Sequence, residues 1–121
     1  MKKKVLIVDD EPSIVRLLSR RFETKGYEVF VAHDGMECIQ IAQIEIPDLI
    51  LLDVSMPYLD GINTFDQLLQ LDITKSIPVI FLSALATEEI KVQTRKMGAN
   101  GFISKPFNSI DIEQAVAEYL E

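Results

Sequence analysis

The feature that most constrains this chain is a repeated pattern. A short apolar run is followed by a longer amphipathic segment, five times over. The runs lie at residues 5–8, 27–31, 48–52, 78–82 and 101–103. The first, third and fourth are continuously apolar and rich in Val, Ile and Leu. Strands buried on both faces of a parallel sheet read that way, whereas half-exposed strands alternate. The fifth run is short. The segments between them carry helical spacing. Val15, Leu18 and Phe22 lead to Gly26, and Cys38, Ile41 and Ala42 mark a second helix. Ile62, Phe65 and Leu69 mark a third. Ile90, Thr94 and Met97 form a thin fourth stripe closed by Gly98, and Ile112, Ala115, Val116, Tyr119 and Leu120 form the fifth.

Strands and helices alternating over such short connections predict an α/β fold of βαβ crossovers, with helices on both sheet faces. The expectation is a five-stranded doubly wound parallel sheet of order 2-1-3-4-5, in which ligands bind beyond the carboxyl ends of the strands. No linker or low-complexity stretch divides the 121 residues, so a single domain over 1–121 is expected.

Charge and composition remove several function classes. Twelve Lys and Arg stand against nineteen Asp and Glu, a net charge of −7. That lacks the basic footprint nucleic acid needs, and it disfavours an anionic membrane surface. The longest nearly apolar stretch, residues 77–86, is far short of the roughly 20 a membrane helix requires. The lysines at positions 2–4 precede only four apolar residues, whereas a secretory signal needs about 7–15. The single cysteine, Cys38, allows no internal disulfide. A cytoplasmic protein is expected.

The strand ends carry the chemistry. Asp9, Asp10 and Glu11 follow the first run, Asp53 the third, Ser83 and Ala84 the fourth, and Ser104, Lys105 and Pro106 the fifth. In the expected order these strands are consecutive, so Asp9, Asp10, Asp53, Ser83 and Lys105 converge. Crowded carboxylates raise each other's pKa, and a hard divalent cation with water-filled positions, Mg²⁺, relieves them. Lys105 offers a point charge and Ser83 a hydroxyl to phosphoryl oxygens. Asp53, its charge partly neutralised by metal, is suited to act as a nucleophile and form an aspartyl phosphate. Taken singly these residues are bland. Asp-Asp after a strand is usually a helix cap with a first-turn acid, and Ser83 alone would be a cap for the next helix. Their joint placement after the right strands is what points to function.

The runs Val5-Leu6-Ile7-Val8-Asp9-Asp10-Glu11 and Leu51-Leu52-Asp53-Val54-Ser55-Met56-Pro57, with Asp60-Gly61, Ser83-Ala84 and Lys105-Pro106-Phe107, resemble the receiver domain of two-component response regulators. The match spans essentially the whole chain. The resemblance implies a CheY-like fold and a phosphoryl group received from a histidine kinase or a histidine phosphotransfer protein. It makes Asp53 the phosphoacceptor, Asp10 the direct Mg²⁺ ligand, Asp9 a ligand acting mainly through water, and the Ser55 carbonyl a further ligand. Lys105 matches the phosphoryl-binding lysine, Ser83 and Phe102 the hydroxyl and aromatic switch positions, and the Lys105–Pro106 bond is often cis in that family. An output domain or a target protein is the implied downstream partner. The chain contains no output domain, so a stand-alone receiver and a fragment of a longer regulator are both compatible with it.

The chain departs from many DNA-binding members in having a basic fourth helix (Lys91, Arg95, Lys96) and an acidic fifth (Asp111, Glu113, Glu118, Glu121). Two other readings compete. An aspartyl phosphohydrolase usually carries a second acid two residues after its nucleophile, where this chain has Ser55. A flavodoxin-like cofactor binder would place a Gly- or Ser-rich phosphate loop after the first strand, where this chain has three acids.

Four further expectations follow. Ile14 and Leu17 lie beside the main stripe of the first helix and should be at least partly exposed, as a docking patch. Ser55 and Leu85, two residues beyond Asp53 and Ser83, should frame the approach of a hydrolytic water. Phe102, lacking a hydroxyl, should sit inward readily. The carboxylate cluster without metal should weaken the fold.

Overall fold

The computed structural model describes residues 2–56 and 59–121. Five parallel strands, β1 (Lys4–Val8), β2 (Glu28–Ala32), β3 (Leu49–Leu52), β4 (Val79–Ser83) and β5 (Gly101–Ser104), form one sheet of order β2-β1-β3-β4-β5. Between and after them come α1 (Pro12–Thr24), α2 (Gly35–Glu45), α3 (Gly61–Gln70), α4 (Glu88–Met97) and α5 (Ser109–Leu120). This is the expected five-stranded flavodoxin-like, CheY-like topology.

Side-chain alternation sorts the core into two layers. Leu6, Val8, Ile50, Leu52, Val79 and Phe81 face α2, α3 and α4, where Cys38, Ala42, Phe65 and Leu68 meet them. Val5, Ile7, Leu49, Leu51, Ile80 and Leu82 face the other way, against Leu18 and Phe22 of α1 and Ile112 and Val116 of α5. The central strands are therefore buried throughout, and each fully buried Leu, Ile or Val contributes about 1.5–3 kcal/mol. The edge strands β2 and β5 are only partly covered, which is why their sequences carry weaker apolar signals.

Several boundaries move from the sequence expectation. Tyr27 lies outside β2 and packs its ring 6.0 Å from that of Phe22. Asp48 precedes β3 and accepts a hydrogen bond from the Lys4 amide at 2.7 Å. Ser83 is the last residue of β4 rather than the first beyond it. On α5, Tyr119 is 42% exposed instead of core, and its hydroxyl donates to the Asn100 carbonyl. The thin stripe of α4 is real: Thr94 is its one buried residue.

Asp34, Asp60, Thr87 and Asn108 cap α2, α3, α4 and α5, each side chain accepting from a backbone amide of the first turn. The cap position of α1 is Glu11, whose side chain makes no such bond. Gly98 ends α4 in the left-handed region at φ 104°, a conformation that glycine adopts without strain. Gly26, the expected terminator of α1, also has positive φ, one residue beyond the cap. Ile46 ends α2 at φ 46° with a β-branched side chain.

Candidate functional site

Register assembles the site. Val8 pairs with Leu52, so the residues that follow, Asp9 and Asp53, emerge side by side from the two central strands. Ser83 pairs with Ser104, which brings Lys105 to the same end of the sheet. The Asp9 amide donates to Ala32 O, the Asp53 amide to Val8 O and the Lys105 amide to Ser83 O, so the ladder continues past each strand. The β3–α3 loop is pinned from behind by Gly61. A Cβ on Gly61 would lie 2.0 Å from the Asp53 carbonyl oxygen, so no larger residue fits. The Gly61 amide donates to Val54 O at 2.8 Å.

Asp9, Asp10 and Asp53 offer one carboxylate oxygen each within 4.8 Å of one another. Asp9 and Asp53 are buried and Asp10 is exposed. Asp9 Oδ1 accepts from the Glu11 amide at 2.9 Å, and Asp53 Oδ1 from the Ser55 amide at 3.1 Å. Lys105 Nζ stands among the acids, 2.8 Å from Asp9 Oδ2, 2.8 Å from Glu11 Oε1 and 3.1 Å from Asp53 Oδ2. It donates aligned hydrogen bonds to Glu11 and Asp53. Its contact with Asp9 is an ion pair without that alignment, and Asp9 Oδ2 is left as a buried acceptor with no hydrogen bond.

The electrostatics correct one expectation. Asp9 is raised above the usual carboxylate range chiefly by burial, and the neighbouring Asp53 charge is the least of the causes. Lys105 opposes the crowding by lowering it. Burial pulls the Lys105 ammonium down, but its close contacts with Asp9 and Glu11 and the charges of Asp53 and Asp9 outweigh this and hold it above its ordinary range. Desolvation, more than mutual repulsion, is the strain here.

A buried carboxylate oxygen held by an ion pair but by no hydrogen bond, beside two more carboxylates, is what a hard cation satisfies, and the all-oxygen donor set fits a divalent one. The capping alternative fails for Asp9, which bonds the Glu11 amide outside the helix, and for Ser83, since Thr87 caps α4.

Ser83 is fully buried, and its Oγ accepts from the Leu85 amide at 3.1 Å. Phe102 is half-buried and stacks on Phe81 with centroids 6.1 Å apart at 25°. It also lines a cavity of about 340 Å³ with Lys91, Thr94, Arg95 and Asn100. Ser55 and Leu85 share the wall of one groove with Met56, Asp60 and Ile62. Leu17 is 44% exposed and Ile14 is partly buried against the α1 layer. The Lys105–Pro106 peptide is cis. Pro57 of the quoted motif lies outside the described residues. Glu11 was given no role by sequence reasoning. Its place in the Asp-Asp-Glu run was the available signal, but only the folded chain brings it to Lys105.

Comparison with known proteins agrees with this geometry. The family model described as the response regulator receiver domain matches residues 5–117. The alkaline phosphatase synthesis transcriptional regulatory protein PhoP of Bacillus subtilis is 42% identical over 120 residues, which is 99% of this chain and 49% of PhoP. The chain thus spans about half the length of PhoP and of the similar ycf27 regulators. Sporulation initiation phosphotransferase F of Bacillus subtilis is 36% identical over 99% of this chain and 95% of its own length. The chemotaxis protein CheY4 of Vibrio cholerae superposes with a TM-score of 0.92 at 32% identity, covering 98% of this chain and 99% of CheY4. No helix among the described residues is long and apolar enough to cross a membrane. With motif, fold and relatives in agreement, this chain belongs to the family of response regulator receiver domains, the phosphoacceptor switches of two-component signalling.

Proposed function

We propose that residues 1–121 act as one receiver domain that takes a phosphoryl group from a phosphohistidine donor onto Asp53. The donor is a histidine kinase or a histidine phosphotransfer protein. A carboxylate oxygen of Asp53 attacks phosphorus, the new P–O bond forms as the P–N bond breaks, and the imidazole leaves with the bonding pair. Asp9, Asp10, Asp53 and the Ser55 carbonyl would hold Mg²⁺, which supplies charge neutralisation at the acceptor. Lys105 binds a phosphoryl oxygen as a point charge, and Ser83 donates its hydroxyl to another. The observation that carries this reading is the position of Lys105 Nζ. One ammonium touches the acceptor Asp53 and the cation-facing Asp9 together, 3.1 and 2.8 Å away.

The protein is a switch rather than an enzyme acting on other molecules, catalysing only its own phosphorylation and dephosphorylation. It works in the cytoplasm, without binding nucleic acid or membrane itself. Ile14 and the exposed Leu17, beside the acidic end of the sheet, form the donor-facing patch. Ser83 and Phe102 carry the change to an output domain or target protein.

Incubation with acetyl phosphate and Mg²⁺ tests the assignment. One phosphoryl mass should appear on a peptide containing Asp53, and it should be lost in Asp53→Asn and Asp10→Asn. Undiminished labelling of Asp53→Asn removes the acceptor assignment, and undiminished labelling of Asp10→Asn removes the ligand assignment.

A further inference from the structure

Three anionic oxygens already stand within 3.1 Å of Lys105 Nζ. An ammonium has three N–H donors and no acceptor. Its two aligned hydrogen bonds go to Glu11 and Asp53. A phosphoryl oxygen arriving on Asp53 therefore competes with three anionic oxygens already crowded around the ammonium.

The partners differ in what withdrawal costs. Asp53 gives up its own carboxylate charge to the phosphoryl oxygens when it is esterified, whereas the Asp9 side chain is 1% exposed, and stripping the counter-charge from a buried carboxylate is strongly unfavourable. The Glu11 side chain is 53% exposed, so water replaces the ammonium when it lets go. Glu11 also makes no capping bond at the start of α1, so its side chain is free to swing without loosening the helix.

We propose that Glu11 is a positioning residue that occupies the outward donor of Lys105 in the unphosphorylated protein and yields it to the incoming phosphoryl oxygen. Glu11 thereby lowers the affinity of the site for a phosphoryl group and favours the resting state. This rests on the reading of Asp53 as acceptor and Lys105 as phosphoryl ligand.

Wild-type protein, Glu11→Ala, Glu11→Gln and Asp53→Asn are titrated with beryllium trifluoride, a phosphoryl mimic, in Mg²⁺. Glu11→Ala should bind it about two- to fivefold more tightly, the worth of a largely exposed ion pair, with Glu11→Gln between it and wild type. In metal-free protein the Lys105 ammonium protons should exchange with water faster in Glu11→Ala than in wild type, a readout independent of phosphoryl chemistry. Equal or weaker binding by both Glu11 variants overturns the proposal, as does unchanged ammonium exchange. Asp53→Asn should lose mimic binding, and retention there overturns the acceptor reading itself, whatever Glu11 does.

Discussion

The backbone amide of Leu85 donates to Ser83 Oγ at 3.1 Å, so the fully buried hydroxyl at the end of β4 is engaged by its own loop. A hydroxyl can accept and donate at once, so Ser83 can turn its O–H toward a phosphoryl oxygen on Asp53 while keeping the Leu85 amide, and the segment from Ala84 onward is drawn along with it. Phosphorylation replaces the Asp53 carboxylate with a phosphoryl group of strong acceptor oxygens, enough to draw the hydroxyl over. Packed interiors answer with discrete rearrangement, and Phe102 stacked on Phe81 is the adjacent ring able to move. Ser83→Ala should therefore still be phosphorylated at Asp53, while amide shifts across residues 86–101 shrink in nuclear magnetic resonance spectra. Full-sized shifts would refute the coupling.

Leu85, 45% exposed, and Ser55 line a groove with Val54, the residue after the proposed acceptor Asp53. Neither is a carboxylate or amide that would orient a water. Leu85→Glu should shorten the lifetime of the phosphorylated form, measured by loss of the phosphoryl mass over time. An unchanged decay counts against this.

Asp9 carries a cost in the metal-free protein. Its folded pKa is raised above 3.8, so its contribution to stability is fully present below that value and is lost as pH rises through the folded one. At neutral pH the charged, desolvated group weakens the fold. Asp9→Asn should raise the melting temperature without metal. Mg²⁺ should raise that of wild type more than that of the variant, because ligand binding to the native state stabilises by mass action. A lower metal-free melting temperature for Asp9→Asn would show that the Lys105 pairing outweighs desolvation.

Tyr27 is pushed up to about 12, first by burial and then by its hydrogen bond to Glu121. The unfolded chain ionises this phenol near 10, whereas the folded chain holds the proton to about 12. Stability from Tyr27 is therefore complete below pH 10 and lost as pH rises toward 12. The fall in urea midpoint over that window should be shallower in Tyr27→Phe. Equal slopes would place the loss elsewhere, with buried Cys38, also raised to about 12 by burial, as the other titrating group.

Ile46 ends α2 at φ 46° and is 48% exposed. An L-residue in the left-handed region costs roughly 1–2 kcal/mol, more for a branched side chain. Ile46→Gly should stabilise by about 1 kcal/mol in chemical denaturation, since little apolar burial is lost. A destabilised variant would mean that the half-exposed isoleucine packs more than its exposure suggests.

Much of this was legible in the sequence because the central strands are buried on both faces and must be apolar throughout. Runs 5–8 and 78–82 locate β1 and β4 to within one residue at each end. The acids and the lysine at strand ends were legible for a related reason: a parallel sheet delivers every strand to one edge, so position along the chain maps onto position in the site. Tyr119 was misjudged because helical periodicity cannot see that Asn100 offers its hydroxyl a partner outside the core. The Glu11–Lys105 pair escaped because it joins residues 94 apart and depends on side-chain reach, which spacing does not encode. The dominance of burial over repulsion at Asp9 was hidden for the same reason, since desolvation is a property of the assembled sheet.

Four helices begin on a cap of their own, and α1 begins on the site. Its entry is fixed by the bond from the Glu11 amide to Asp9 Oδ1, a carboxylate whose other oxygen pairs with Lys105 in the cluster of Asp9, Asp10 and Asp53. The order of the first turn of α1 is thus tied to whatever occupies that cluster. Local opening of exposed helix ends generally lies at the low-stability end of a protein's fluctuations. In hydrogen exchange the amides of residues 11–15 should slow when a divalent cation binds, while the first turns of α2 to α5 keep their rates. The face proposed above to meet the phosphohistidine donor would then be firm only when the site beside it is loaded.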